Sequence, residues 1–137
     1  MDSNRSKKKY LVINLLLFAF LYFSVSFNKE YIRPIYADKA FWGILTGSYS
    51  NFMAAYILSL CAIPAIFARN LMKQSRMVFY TVSGFIFLLL MFEEISPFAG
   101  VSKVCDIYDI LASALGSLFA IFTFEIIFKK RKHDKQA

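Results

Sequence analysis

The chain has 137 residues, of which 58% are hydrophobic and 18% aromatic, and its formal net charge is +7. Apolar residues make up about 45–50% of an average soluble domain, so this composition argues against a soluble globular protein. The positive charge does not indicate a nucleic-acid partner. The basic residues flank apolar runs, where they set membrane topology and attract anionic lipid head groups.

Four apolar runs follow one another along the chain. A helix needs about 20 such residues to cross a hydrocarbon core of about 30 Å. The third run is short and reaches that length only as Ser75–Ile95, and the fourth contains Asp109 near its start and Glu125 near its end. The runs predict an all-α membrane protein with four transmembrane helices in a compact bundle. The predicted spans are about 10–27, 50–68, 77–95 and 107–128.

The distribution of Lys and Arg predicts the orientation of this bundle. Residues 1–9 hold four basic residues, 69–76 hold three and the tail 129–137 holds five, which is 12 of the 16 in the chain. The other loops hold the remaining four together with six acidic residues. Because cytoplasmic loops are enriched in Lys and Arg, both termini are predicted to be cytoplasmic. The transmembrane domain is then 10–128.

Residues 28–49 are predicted to form an outward interfacial loop. Trp and Tyr rings favour the head-group level of a bilayer. Asp38 is predicted to cap a short helix that Gly47 ends, and the second span then begins at Ser50 or Asn51. Pro64 is expected to disrupt the last turns of that span. The aromatic residues either anchor this loop or form a lid over a lipid-accessible groove: Tyr31, Tyr36, Phe41, Trp42 and Tyr49.

Two polar residues inside the spans have structural interpretations. Asn14, in the first span, is expected to form a hydrogen bond with another helix. Glu125 precedes Lys129 by four residues, the favourable order for an ion pair on one helix. His133, in the basic tail, is given no functional role.

The fourth span carries a small-residue face with acidic residues at its outward end. Asp106, Asp109 and Ser113 lie at helical spacing and continue into Gly116 and Ala120, with Ala112 beside them. Small residues four positions apart let helix backbones approach closely in a membrane. This face is therefore predicted to point into the bundle, with Gly116, Ala120 and Ala112 as packing residues.

An acidic cluster is predicted where the third and fourth spans meet in a tight hairpin. Asp106 and Asp109 have structural interpretations as a helix cap and as a charge on the helix dipole. Clustered carboxylates also share protons, bind a cation or pair with a base such as Lys103 or Arg33. Adjacent residues point about 100° apart on a helix, so only one of the two glutamates faces Asp109. The candidate ligand-binding residues are Glu93, Glu94, Lys103, Asp106, Asp109 and Ser113, and the sequence leaves metal binding open.

The stretch FEEISPFAGVSKVCDIYDILASALGSLFA resembles the VanZ-like family of small multi-pass bacterial membrane proteins. The matching positions are an acid at the end of one span, a basic loop residue, an acidic pair and a helical glycine. In GSYSNFMAA, Ser50 stands where the family has proline, and Lys103 and Ser113 stand where it has Arg and Asn. The matches, from Thr46 to Ala120, are Glu93 or Glu94, Lys103, Asp106, Asp109 and Gly116.

The resemblance implies an inner-membrane protein of the bacterial cell envelope, with a link to glycopeptide-type antibiotic resistance and no defined reaction. The predicted function is binding of a lipid-linked or cationic ligand at the acidic cluster. The alternative is an accessory subunit that packs against a larger membrane complex. An enzyme of lipid head groups is less favoured, because the chain lacks a glycine-rich phosphate cradle and a histidine in the spans. No cofactor is predicted; the expected partners are membrane lipids and a membrane protein or second copy.

Overall fold

The computed structural model describes residues 2–68, 74–96 and 106–134, and this part of the chain is helical without strands. Four stretches are long and apolar enough to cross a membrane, namely Lys8–Tyr36, Ala40–Phe67, Ser75–Ile95 and Ile107–Lys130. The all-α prediction with four such helices is confirmed. The helices are α1 (Asp2–Phe27), a π-helix (Asn28–Ile32), α2 (Arg33–Tyr36), α3 (Ala40–Leu60), α4 (Ala62–Ala68), α5 (Ser75–Ile95) and α6 (Ile107–Asp134).

The predicted loop 28–49 is a helical hairpin, which corrects the sequence analysis. The first helical stretch continues through the π-helix into α2, and α3 begins at Ala40. Pro34 lies in the first turn of α2. It has no N–H to donate, and in a regular α-helix its ring would clash with the backbone carbonyl four residues back. The wider π-turn accommodates this, with the Arg33 N–H donating to the Asn28 carbonyl five residues back. We call residues 28–48 the outer hairpin, after the side that the distribution of Lys and Arg predicts for it.

The start of α3 also differs from the prediction. Lys39, in an extended conformation, precedes the helix and makes no capping bond with its side chain, so Asp38 is not the cap. Gly47, Ser50 and Asn51 lie inside α3 instead of ending one helix and starting another. A Cβ on Gly43 would lie 2.9 Å from the Ala37 carbonyl oxygen, so glycine permits this close turn.

Pro64 interrupts the second apolar stretch as predicted. It cannot donate a hydrogen bond to the carbonyl of Leu60, four residues back. The helix accordingly ends at Leu60, with a turn at Cys61 before α4 begins. Within the described residues Cys61 is a free thiol; Cys105 lies outside them.

The centre of the bundle is the contact between α3 and α6, the most extensive between any two described helices. A Cβ on Gly116 would overlap the Phe52 carbonyl oxygen and would lie 3.0 Å from the Ala55 Cβ. About two turns further along α6, the Thr123 hydroxyl lies 3.1 Å from the Tyr56 hydroxyl of α3. Contacts later in α6 thus involve later residues of α3, so the two helices run in the same direction, and Gly116 faces α3 inside the bundle.

Toward the cytoplasmic end predicted from the sequence, α5 joins this pair through stacked aromatic rings. The Phe79 and Phe124 ring centres are 4.3 Å apart and nearly parallel. Both rings and Ala120 are fully buried, whereas Ala112 is half-buried. Glu125 bonds across to α5, accepting from Arg76 at 2.9 Å and from the Tyr80 hydroxyl at 2.6 Å. Glu125 therefore pairs with two donors on α5 and not with Lys129, its predicted ion-pair partner.

The first helix lies at the edge of the bundle against α3 and α4. The Ser24 hydroxyl bonds the Tyr49 hydroxyl at 2.6 Å, and Asn28 donates to the Thr46 carbonyl at 2.8 Å. The predicted hydrogen bond from Asn14 to another helix is not formed by its side-chain oxygen. Asn14 Oδ1 is buried without a hydrogen-bond partner.

Candidate functional site

A polar cleft lies where α5 ends and α6 begins, beside the outer hairpin. Its volume is about 460 Å³, within the range of about 300–1,000 Å³ that is usual for small-molecule sites. Residues of the outer hairpin, α3, α5 and α6 form its wall. They are Arg33, Ala37, Ala40, Gly43, Ile44, Gly47, Ser48, Ser50, Asn51, Glu94, Asp106 and Asp109.

Glu94 is the inward-facing glutamate of the pair that the sequence left open. Its side chain is buried, with only 3% of the residue exposed, and Oε1 accepts the Asp106 N–H at 3.1 Å. Glu93 is exposed and is not part of the cleft wall. The bond to Asp106 holds the end of α5 against the start of α6, so these acidic ends lie close together.

Asp106 combines a structural position with a place in the cleft. Its Oδ1 accepts the Tyr108 N–H at 2.9 Å, and its carbonyl oxygen accepts the Asp109 N–H at 3.0 Å. These are the bonds of a helix cap, which satisfy donors that the first turn leaves free. Asp109 follows in that first turn and is half-buried in the cleft wall.

The structure brings only part of the predicted set together. Ser113 is buried, and its hydroxyl donates to the Asp109 carbonyl oxygen at 3.0 Å, inside the helix and away from the cleft wall. A hydroxyl that bonds its own helix in this way is not directed at a ligand. Lys103 lies outside the described residues. Glu94, Asp106 and Asp109 are therefore the predicted residues that share the cleft.

The sequence analysis missed the contribution of α3. Gly43, Gly47 and Asn51 lie four residues apart, which places them on one face of a helix. A Cβ on Gly47 would meet no atom within 4 Å, so this glycine leaves the cleft open. This four-residue spacing could have indicated a shared face, but only if residues 40–51 had been predicted to be helical.

The described residues of the cleft wall include three carboxylates and one guanidinium, a formal sum of −2. The guanidinium belongs to Arg33, and the carboxylates belong to Glu94, Asp106 and Asp109. A concave site with this charge attracts a positively charged group. The described ranges contain no group of three or more His, Cys, Asp or Glu residues arranged to hold a metal ion.

No protein-family model, curated protein or solved structure matches this chain. The VanZ-like resemblance therefore stays a prediction that depends on its motif residues. Of these, Glu94, Asp106 and Asp109 meet in the cleft and Gly116 lies at the α3–α6 contact, whereas Ser50 lies inside α3.

Proposed function

We propose that this protein is a multi-pass integral membrane protein that binds the cationic head group of a lipid-linked ligand in the polar cleft. The observation that supports this most directly is the buried carboxylate of Glu94 in the wall of an open cleft, at one end of an apolar bundle. Burying a carboxylate away from water is costly. A cationic ligand supplies a counter-charge to this group.

The level of the cleft favours a ligand that comes from the membrane. It lies beside the outer hairpin, whose aromatic residues are typical of head-group depth. A lipid head group reaches such a site by moving laterally, with its chains still in the bilayer. The proposed ligand therefore carries an ammonium group, whose N–H donors suit the carboxylate oxygens of Glu94 and Asp109.

The proposed setting is the bacterial inner membrane, with both termini in the cytoplasm and the cleft on the outer side. Lys and Arg distribution supports the orientation, and the VanZ-like resemblance supports an envelope function linked to glycopeptide resistance. The alternative accessory-subunit function depends on small-residue helix faces, one of which is on α6. That face is occupied by α3 at Gly116, and Ala120 is fully buried, so it is not available to a partner.

Reporter fusions test the proposed orientation. A reporter that is active only in the cytoplasm, fused after Asp134, is expected to be active, because the four basic residues within 129–134 favour the cytoplasmic side. The same reporter inserted between Ser96 and Asp106 is expected to be inactive, and a periplasmic reporter there active. Activity of one reporter at both positions would contradict four spans with this orientation.

Lipid binding by the purified full-length protein tests the ligand. In mild detergent, native mass spectrometry should show tighter binding of phosphatidylethanolamine than of phosphatidylglycerol with the same chains, because only the former carries an ammonium group. Gly47→Leu fills the cleft and is expected to reduce phosphatidylethanolamine binding about tenfold, equivalent to 1.4 kcal/mol. The matched control is Gly84→Leu, because a Cβ on Gly84 also meets open space but lies outside the cleft.

Two results would contradict this function. The first is equal binding of the two lipids by the unaltered protein. The second is a preference for phosphatidylethanolamine that Gly47→Leu and Gly84→Leu leave equally intact, since the ammonium group would then bind outside the cleft.

A further inference from the structure

A second cavity, of about 290 Å³, lies between the end of the first helical stretch and the start of α3. It shares no wall residue with the polar cleft, because other faces of α3 and of the outer hairpin form it. Four of its nine wall residues are aromatic. We call it the aromatic cavity, and its wall consists of Ser24, Phe27, Asn28, Ile32, Tyr36, Trp42, Leu45, Thr46 and Tyr49.

Four polar side chains in this wall form hydrogen bonds within the protein. Asn28 Nδ2 donates to the Thr46 carbonyl at 2.8 Å, and the Thr46 hydroxyl donates to the Trp42 carbonyl at 2.8 Å. The Ser24 and Tyr49 hydroxyls bond each other at 2.6 Å. A polar ligand would have to replace these bonds, whereas an apolar ligand leaves them intact. The cavity therefore suits an apolar occupant.

The size of the cavity restricts that occupant. Its volume is near the lower limit of about 300 Å³ for ligand pockets, so it takes one hydrocarbon segment and not a helix or a complete lipid. The π-helix supplies Asn28 and Ile32 to the wall. Such single π-turns are frequent at functional sites because they redirect side chains locally.

A positive charge lies beside this cavity. Lys39 Nζ is 5.1 Å from the centre of the Tyr36 ring, and Tyr36 is part of the wall. The outer hairpin as a whole has three basic residues and two acidic ones, a net charge of +1, namely Lys29, Arg33 and Lys39 against Glu30 and Asp38. An anionic phosphate at the membrane surface complements this charge.

We infer that the aromatic cavity binds one acyl chain of an anionic phospholipid, whose phosphate lies near Lys39. This inference goes beyond the proposed function and does not depend on it, because Ile32 and Trp42 are not part of the cleft wall. The occupant also differs, since the cavity takes a hydrocarbon chain and the cleft takes an ammonium group.

The single tryptophan of the chain, Trp42, provides the measurement. Bromine atoms on an acyl chain quench its fluorescence only at close range. The full-length protein in mild detergent is titrated with phosphatidylglycerol that carries brominated chains, and quenching should saturate. Phosphatidylcholine with the same chains should bind about fivefold more weakly, and Lys39→Gln should remove that difference, as expected for one basic residue at a membrane surface.

Two substitutions, one on each side of the cavity, reduce its volume. If one variant does not fold, the other still tests the inference. Ile32→Phe and Leu45→Phe are each expected to weaken saturable quenching about tenfold, equivalent to 1.4 kcal/mol. Ile35→Phe is the matched control, because Ile35 is 70% exposed and lies outside the cavity wall. Circular dichroism confirms that each variant is folded.

Three results would overturn the inference. Quenching that rises in proportion to lipid without saturation would show only the general contact of a half-exposed Trp42 with lipid. Folded Ile32→Phe and Leu45→Phe proteins with unchanged quenching would place the chain elsewhere. Equal binding of the two brominated lipids by the unaltered protein would exclude the role of Lys39.

Discussion

Gly116→Ala is expected to destabilise the bundle more than any other single added methyl group at a described glycine. The new Cβ would overlap the Phe52 carbonyl oxygen and lie 3.1 Å from the Tyr56 backbone nitrogen. Both atoms belong to the helix backbone and cannot rotate away, so α3 and α6 must separate. Overpacking of this kind typically costs about 1–3 kcal/mol and occasionally more. The midpoint of thermal unfolding in mild detergent, followed by circular dichroism, should fall.

Gly84→Ala is the control for this prediction. Gly84 lies in α5, and a Cβ there meets no atom within 4 Å. Alanine is more favourable than glycine in a helix by about 0.8–1.0 kcal/mol, so this variant should unfold at the same temperature or slightly higher. Equal destabilisation by the two substitutions would mean that Gly116 does not mediate the contact between α3 and α6.

The number of long apolar helices could be predicted because membrane thickness restricts their length and composition. The third stretch illustrates this, since its short apolar run reaches the necessary length only as Ser75–Ile95, and α5 has these bounds. The outer hairpin could not be predicted in the same way. Its glycines, Pro34 and polar residues are typical of loops, but Thr46 bonds the carbonyl of Trp42 inside its own helix. Local bonding thus permits helix where composition indicates a loop.

Helix partners were harder to predict than helix faces. The small-residue face of α6 was evident from the spacing of Gly116 and Ala120, and that face does point inward. The sequence predicts a tight hairpin of α5 and α6, but it leaves the place of the main partner of α6 open. The structure gives that place to α3, which supplies Phe52 and Ala55 opposite Gly116. Chain connectivity carries no information about which non-adjacent helix fits a groove.

The acidic cluster was predictable as a group but not in its detail. Glu93 and Glu94 are adjacent residues of the same type, so the sequence does not show which of them is buried. The packing of α5 against α6 leaves Glu93 exposed and buries Glu94. Ser113 lies on the predicted face, yet its hydroxyl bonds the backbone of its own helix. Such bonds depend on side-chain rotamers, which residue spacing does not determine.

Glu94→Gln is expected to weaken the binding of phosphatidylethanolamine while it preserves the fold. Glutamine keeps a carbonyl oxygen that can accept the Asp106 N–H, so the connection between α5 and α6 is retained. The negative charge is lost, and a hydrogen bond to a charged group contributes about 1.5–3 kcal/mol. Phosphatidylethanolamine binding, measured by native mass spectrometry, should therefore weaken about 10- to 100-fold.

Glu93 and Glu94 are neighbours of the same type, which makes this test unusually well controlled. Glu93→Gln changes the net charge of the protein and of this helix end equally, but Glu93 is exposed and outside the cleft wall. It should leave phosphatidylethanolamine binding unchanged. Glu94→Leu measures the structural role of Glu94 apart from its role in binding. Leucine leaves the Asp106 N–H without its acceptor, which should cost about 1–3 kcal/mol of stability. Equal loss of binding in Glu93→Gln and Glu94→Gln would indicate a general surface-charge effect and would rule out the cleft as the binding site.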